Sequence, residues 1–211
     1  TPHRPRVFAV GVTDAIPKLV AHQLLAPALA PRSSRDEATA VLCREGSAQS
    51  LLPALLAHDL DLLLADAPLS ALGETRVYSH LLGKSPVSFF GSPDLVPRRR
   101  PRADSPFASI AGVPLLLPGR QNALRRMLDH AFEKAGFTPR IVGEFDDTAL
   151  MKVFGQHGAG LFPAPEALAK QIRQQYGVRP VLRLDLVERF FAVTVERKLR
   201  HPAATAMLER A

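Results

Sequence analysis

Hydrophobic and polar positions along the chain predict strands and helices in alternation. The apolar run Arg6–Val12 has the length of a strand, and Ala15–Leu29 repeats apolar residues at helical spacing. A strand over Thr39–Arg44, a helix from Gly46 to about His58 and a wholly apolar strand over Leu60–Ala65 follow. A strand that is apolar throughout is expected where both faces of a sheet are covered. This order predicts parallel strands joined by right-handed crossovers.

A second series of the same kind fills the rest of the chain. Short strands are predicted over Val77–Leu82 and Val87–Gly91, followed by a Pro- and Arg-rich loop from Ser92 to Ser105. The remaining strands are predicted over Val113–Leu117, Arg140–Phe145, Ala159–Phe162, Val181–Leu186 and Phe190–Glu196. Helices are predicted over Gln121–Ala135, a short stretch ending near Gly155, Pro165–Tyr176 and, at the terminus, His201–Glu209. Two such series predict an α/β protein with lobes formed by residues 1–84 plus 188–211 and by residues 85–187. This is a type II periplasmic-binding-protein-like fold, with mostly parallel sheets and two crossover segments.

Length and composition narrow the functional classes. The chain has 211 residues, of which 46% are hydrophobic, so it can bury a core without disulfides. No apolar stretch reaches the roughly 18 residues of a membrane span. Residues 1–6 lead directly into the first strand, so no secretory leader is predicted. The single Cys43, expected to be a buried and inert thiol, fits a reducing compartment, and the predicted location is the cytoplasm.

The net charge of +7 raises the question of nucleic-acid binding. The one basic cluster, residues 98–102, lies among prolines in the predicted loop and has no interleaved aromatic residue, so a base-stacking surface is not expected. A solvated loop is favoured, and a phosphate-contacting patch is the alternative. The chain also lacks a nucleophile elbow, a zinc-protease motif and a phosphate-binding loop. It is therefore predicted not to be an enzyme, and no cofactor is expected.

Two motifs carry a family resemblance. The runs Leu115–Arg120 (LLLPGR) and Gly143–Phe154 (GEFDDTALMKVF) resemble the effector-binding domain of LysR-type transcriptional regulators, and most of all the subgroup that regulates sodium/proton antiporter genes. Further matches are Val10–Ala15, Leu63–Pro68, Val87–Phe90 and Phe162–Pro165. The resemblance covers nearly the whole chain. It implies that DNA is read only by an N-terminal winged helix-turn-helix that this chain lacks.

The resemblance also implies the partners of the chain. These are a small-molecule or ion effector and further copies of the chain in a homodimer or homotetramer, with no membrane. An antiparallel dimer would pack the first helix and second strand of one copy against the second lobe of the other. The candidate interface residues are Leu24, Leu25, Val41, Leu128 and Phe132, although each of them could instead lie in the core of its own chain.

Candidate effector residues lie where the strands of the first lobe end, because ligands of such sheets bind beyond the carboxyl ends of the strands. Thr13 and Asp14 fit a helix N-cap and its first turn, and the resemblance implies a ligand role for Thr13. Ser47 could cap its helix or donate to an anion at the helix N-terminus. Asp66 could bind a ligand or accept hydrogen bonds from neighbouring backbone N–H groups.

The second lobe offers a different set of candidates. Arg120 could bind a carboxylate or phosphate with two parallel hydrogen bonds, or it could form a salt bridge with Asp146 or Asp147. The other candidates in this lobe are Gln121, Asp147, Thr148 and Phe162. Helix capping is the alternative for Gln121 and its neighbour Asn122, and a core position is the alternative for Phe162.

The acidic residues at the strand ends favour a cation over an acidic effector. Asp14, Asp66, Asp146 and Asp147 place up to four carboxylates near strand ends, and hard cations such as sodium prefer oxygen ligands. These carboxylates belong to different turns, so their convergence on one ion is a separate requirement. The function expected is therefore effector binding within a transcriptional regulator, with a response to sodium or another cation. The alternative is a solute-binding protein of a transport system.

Overall fold

The computed structural model describes residues 6–29, 39–69, 77–95 and 106–197. It divides into two compact units. Unit 1 contains the described residues up to Gly83 and those from Arg189 onward, and unit 2 is Lys84–Glu188. In chain order the elements are β1 (Arg6–Thr13), α1 (Lys18–Leu29), β2 (Thr39–Gly46), α2 (Ala48–Leu56), β3 (Leu62–Ala65), β4 (Tyr78–Gly91), β5 (Pro114–Pro118), α3 (Ala123–Lys134), β6 (Arg140–Phe145), α4 (Thr148–Gln156), β7 (Phe162–Pro165), α5 (Ala169–Tyr176) and β8 (Arg179–Thr194).

Unit 1 is built on the parallel strands that the pattern predicted. β1 pairs in parallel with both β2 and β3, and β3 pairs antiparallel with the end of β8. Every residue of β3 is buried, as expected for an apolar strand covered on both faces. α2 packs its buried Leu51 and Leu55 against Leu60 and Leu63. β2 is the edge strand of this sheet, so one side of its backbone has no strand partner within the described chain.

Unit 2 has its own core. β5 pairs in parallel with β6, and β4 pairs antiparallel with β7. The rings of Phe107, Phe132 and Phe137 pack together with centroids 5.1–5.5 Å apart. Leu128 and Phe132 are both buried in this core, so their predicted role in a dimer interface is wrong. The alternative, a core position in their own chain, is correct for these two residues.

Three strand predictions were wrong because turn-forming or polar residues were taken as breaks or bounds of strands. Residues 83–86 lie inside a single long β4, and residues 187–189 lie inside a single long β8. The strand predicted over Ala159–Phe162 is instead Phe162–Pro165, since β7 is an edge strand and can carry prolines that donate no ladder hydrogen bond. The predicted Pro165–Tyr176 helix is a 3₁₀ turn at residues 166–168 followed by α5.

Other predictions differ at their ends. α1 begins at Lys18 rather than Ala15, after a turn in which the Ile16 N–H donates to the Thr13 carbonyl over 2.9 Å. The terminal helix lies outside the described residues, as does most of the loop, whose described part contains a 3₁₀ turn at Pro93–Leu95. Within the described residues, no helix has the length and apolar character needed to cross a membrane.

Cys43 is exposed on β2, so the prediction of a buried thiol is wrong. Partial desolvation and the Glu45 carboxylate nevertheless raise the pKa of the Cys43 thiol. A raised pKa lowers the thiolate fraction at neutral pH, and the thiolate is the reactive form.

Candidate functional site: the strand-end turns

The carboxyl ends of three parallel strands meet at one edge of the sheet in unit 1. Thr13 at the end of β1 lies opposite Gly46 at the end of β2, and the Asp14 N–H donates to the Gly46 carbonyl over 3.0 Å. Because Val12 is paired with Leu64, Asp66 follows β3 at the same edge. The structure therefore brings together the strand ends that carry Thr13, Asp14, Ser47 and Asp66.

Thr13 is the unusual member of this group. It is only 4% exposed, and its Oγ1 has no hydrogen-bond partner among the residues that the structure describes. The predicted N-cap role is wrong, because α1 begins five positions later, at Lys18. A buried hydroxyl without a partner is costly, and a bound ligand would relieve that cost.

The other polar residues of this turn have ordinary roles or are open to solvent. Ser47 caps α2, since its Oγ accepts a hydrogen bond from the Ser50 N–H at 3.1 Å. Asp14 is exposed and Asp66 is half-buried. Lys18 forms an ion pair with Glu45 on β2, and both of these side chains are exposed.

Unit 2 contains a second turn built on the same plan. The Gly119 N–H after β5 donates to the Phe145 carbonyl at the end of β6 over 2.8 Å, as Asp14 does to Gly46 in unit 1. The Asp146 carboxylate lies directly against Gly119, where a side chain would overlap it. Glycine at position 119 therefore allows the acid to occupy the turn.

Arg120 is open to solvent at this turn. Its side chain is 80% exposed, and its Nε lies 3.8 Å from Glu144 Oε2. The salt bridge predicted with Asp146 or Asp147 is therefore wrong, because the acidic neighbour is Glu144. The distance exceeds that of a hydrogen bond, so the Arg120 guanidinium is loosely held.

The sequence analysis missed Arg125, which organises this turn. Its side chain is only 4% exposed and donates to the Pro118 carbonyl at 3.0 Å and to Glu144 Oε1 at 3.1 Å. Its Nε donates to both carboxylate oxygens of Asp129, at 2.9 and 3.1 Å. The hydrogen bond from Arg125 holds the pKa of the Glu144 carboxyl below its ordinary value. The available signal was the spacing of Arg125 and Asp129, which places them on one helix face.

The remaining candidates of unit 2 have structural roles. Asn122 caps α3 through the Leu124 N–H, and Asp147 caps α4 through the Ala149 N–H at 2.7 Å. Gln121 is exposed, whereas Thr148 is buried in the first turn of α4.

Phe162 has a core position. Its ring is fully buried, stacks on Phe90 with centroids 6.0 Å apart and packs against Gly155. The core interpretation of Phe162 is the one that this packing favours.

Acidic residues do not gather into a metal centre in the described chain. Within residues 6–29, 39–69, 77–95 and 106–197, no group of three or more His, Cys, Asp or Glu side chains could hold a metal ion. Asp146 and Asp147 are adjacent in sequence, but Asp147 is engaged in capping α4.

Comparisons with known proteins show the family to which the chain belongs. The family described as the LysR substrate binding domain matches residues 14–211. The transcriptional activator protein NhaR of Escherichia coli (strain K12) is 32% identical over 199 residues, which cover 93% of this chain and 62% of NhaR. NhaR of Shigella flexneri matches to the same extent. The chain thus spans about 62% of the length of these curated relatives.

Solved structures share the fold at low sequence identity. The apo regulatory domain of HypT from Salmonella typhimurium has a TM-score of 0.67 at 14% identity and covers 99% of this chain and 95% of its own. DarR of Vibrio fischeri in complex with DNA has a TM-score of 0.71 at 17% sequence identity, and the match covers 96% of this chain and 66% of DarR. The CcmR regulatory domain of Synechocystis PCC6803 in complex with 2-PG has a TM-score of 0.69 at 11% sequence identity, and the match covers 96% of this chain and 94% of the CcmR domain.

These matches confirm the predicted fold class and the predicted family. They do not favour the alternative, a solute-binding protein of a transport system, since the curated relatives are transcriptional activators. The chain belongs to the LysR-type transcriptional regulators and comprises their substrate-binding, or effector-binding, domain.

Proposed function

We propose that this chain binds a small effector at the strand-end turn of unit 1, and so controls a DNA-binding transcriptional regulator. The observation that carries the proposal is the buried Thr13 Oγ1, which has no hydrogen-bond partner among the described residues. A threonine that only filled space could be valine at no cost. A hydroxyl at the meeting point of the parallel strands is suited to a ligand, which in such sheets binds at this edge.

The effector that we propose is sodium or another small cation. The hydroxyl and carboxylate oxygens of Thr13, Asp14 and Asp66 lie on neighbouring strand ends, and hard cations prefer oxygen ligands. The resemblance of the sequence motifs to the antiporter-regulating subgroup supports the same choice. A small anion is the competing effector, because Ser47 and the N-terminus of α2 are at the same edge. CcmR, a structural neighbour, is described in complex with 2-PG.

Calorimetric titration of the chain distinguishes these effectors. Sodium chloride and lithium chloride are compared with potassium chloride at equal ionic strength, and succinate represents the anions. We expect saturable heat from sodium or lithium that potassium does not produce. Saturable heat from succinate alone would replace the cation by an anion. An absence of heat with every probe would contradict the proposal.

Two variants locate the response. Asp14→Asn combined with Asp66→Asn removes the two carboxylates at the strand-end turn of unit 1 and keeps side chains of similar size. We expect this pair to weaken a cation response at least tenfold. Ser47→Gly, which removes the hydroxyl at little cost to the helix cap, is the matched test for an anion at the N-terminus of α2, and we expect it to leave a cation response unchanged.

We also propose that the chain associates into a homodimer or homotetramer and reaches DNA only through an N-terminal domain outside these residues. Unit 1 exposes Val7, Leu29 and Leu42 next to the half-buried candidates Leu24, Leu25 and Val41. An edge strand with exposed apolar residues is suited to pairing with another copy. Sedimentation of Leu42→Lys tests this, since a charge on β2 should shift the chain toward monomer.

In this role the chain acts as a binding module without catalysis. An effector can control the regulator only if it binds one arrangement of the assembly more tightly than another. A tenfold difference in affinity between two arrangements corresponds to about 1.4 kcal/mol. The effector titrations should therefore be repeated on the full-length regulator bound to its DNA.

A further inference from the structure

A cavity of about 520 Å³ lies on unit 2, and none of its lining residues belongs to the two turns. It is formed by α5 and the first residues of β8, and it is lined by Ala169, Lys170, Arg173, Gln174, Gly177, Val178, Arg179 and Pro180. Its volume is in the range of small-molecule sites. None of these lining residues takes part in the effector site proposed above.

Three positively charged residues are among those that line this cavity. Lys170 and Arg173 are three positions apart on α5 and therefore share a face of the helix, and Arg179 begins β8. None of the lining residues that the structure describes is acidic. None of the three cations forms an ion pair within the described part of the chain. The nearest acid in sequence, Glu166, is engaged with Ser88 and Arg183.

This arrangement is unfavourable without a counter-charge. Like charges on one helix face repel each other, and Lys170 lies in the first turn of α5, where the helix dipole disfavours a cation. The Arg173 guanidinium near the helix C-terminus is the only one of the three that the dipole favours. A bound anion would remove the repulsion among all three.

We propose that this cavity binds a small, multiply charged anion of the oligophosphate class. Two arginines can each donate paired hydrogen bonds to phosphate oxygens, and the lysine adds a point charge. The cations are exposed, so a single negative charge would be screened by solvent, whereas an oligophosphate contacts all three at once. A volume of about 520 Å³ is that of a small-molecule site and favours a small molecule over duplex DNA.

The test is calorimetric titration of the 211-residue chain with the potassium salt of inorganic triphosphate, which avoids sodium. We expect one saturable site in the wild type. Arg173→Gln with Arg179→Gln should weaken binding at least tenfold. The control, Lys134→Gln with Arg189→Gln, removes the same charge from two exposed positions elsewhere and should change the affinity less than twofold.

Three results would overturn the proposal. The first is an absence of saturable binding by the wild type. The second is equal weakening in the two double variants, which would reduce the effect to net charge. The third is binding of a 20-base-pair DNA duplex that requires Arg173 and Arg179 when triphosphate does not saturate, which would make the cavity part of a DNA-contacting surface. All four exposed positions can be substituted without entering the core, and the far-ultraviolet circular dichroism of each variant should match the wild type.

Discussion

The two strand-end turns share one backbone plan but differ in what fills them. In unit 1 the Asp14 N–H donates to the Gly46 carbonyl, and in unit 2 the Gly119 N–H donates to the Phe145 carbonyl. In unit 1 the next residue, Ser47, already caps the helix. In unit 2 an additional residue, Asp146, precedes the cap.

That additional residue changes the chemistry of the turn. The Asp146 carboxylate lies against Gly119 and fills the space that a side chain at position 119 would need. Unit 1 has no such residue, and it leaves the buried Thr13 hydroxyl without a partner among the described residues. The turn is thus filled by its own acid in unit 2, whereas in unit 1 it holds a buried hydroxyl without a partner in the described chain.

The two units also hold their charges differently. Arg125 in unit 2 is buried and connects the turn to Asp129 and Glu144, whereas the Lys18–Glu45 pair in unit 1 is exposed. Burial makes the loss of one partner expensive, while an exposed pair contributes little. We therefore expect the loss of Arg125 to cost more stability than the loss of Lys18.

The largest expected effect comes from Arg125. Arg125→Met should lower the free energy of unfolding by about 3 kcal/mol, at the low end for a buried charge pair because Asp129 and Glu144 are 49% and 38% exposed. Lys18→Met, the matched change in unit 1, should cost less than about 1 kcal/mol. Urea unfolding of the two variants measures both values. Equal losses of stability would contradict the difference between the buried ion pairs of Arg125 and the exposed Lys18–Glu45 pair.

A smaller effect is expected at Gly119. Gly119→Ala forces the Asp146 carboxylate aside and should cost about 1 kcal/mol, because that side chain is exposed and can move. Adding Asp146→Ala should restore most of the loss. A double-mutant cycle by urea unfolding tests the coupling. If the two changes were additive, Asp146 would not fill the turn.

Thr13→Val should change stability in the opposite direction. Removing a buried hydroxyl that has no partner in the described chain should raise the free energy of unfolding by up to about 1 kcal/mol. The control is Thr194→Val in the same unit, since Thr194 Oγ1 donates to the Glu196 carbonyl at 2.7 Å. That variant should lose about 1 kcal/mol. A similar loss for both threonines would mean that Thr13 has a structural partner.

The smallest expected effect is a pH dependence at Glu144. The hydrogen bond from Arg125 lowers the pKa of the folded-state carboxyl from its ordinary value of 4.5. The stability it contributes is therefore present above about pH 4.5 and is lost as the pH falls through the lower folded-state pKa. Unfolding of Glu144→Gln should depend less on pH below 4.5 than that of the wild type. A pH dependence of Glu144→Gln equal to that of the wild type would contradict this contribution.

The sequence predicted the parts of the fold that depend on local pattern. The apolar run of β3, the capping residues Asn122 and Asp147 and the polar residues at the strand ends were all identifiable from residue type. Periodicity and capping reflect interactions within a few positions along the chain, so a single sequence contains them.

Features that depend on distant residues could not be predicted. The continuity of β4 and β8 depends on strand pairing, which outweighs the local tendency of Gly83, Pro86 and Asp185 to form turns. From the sequence alone, Arg125 is expected to be a solvent-exposed charge. The tertiary fold instead buries its side chain beside Pro118 and Glu144. Thr13 does not cap α1 because the helix begins at Lys18, three residues later than predicted. Its hydroxyl is therefore left without a hydrogen-bond partner in the described chain.

The most direct test of the role of Thr13 compares effector responses of the wild type and Thr13→Val by thermal unfolding. Sodium chloride, lithium chloride and succinate are each titrated against potassium chloride at equal ionic strength. At least one of them should raise the midpoint of the wild type by several degrees, and the shift should disappear in Thr13→Val although this variant is no less stable. Equal shifts in the two proteins, or no shift in either, would contradict the assignment of the effector site to the strand-end turn of unit 1.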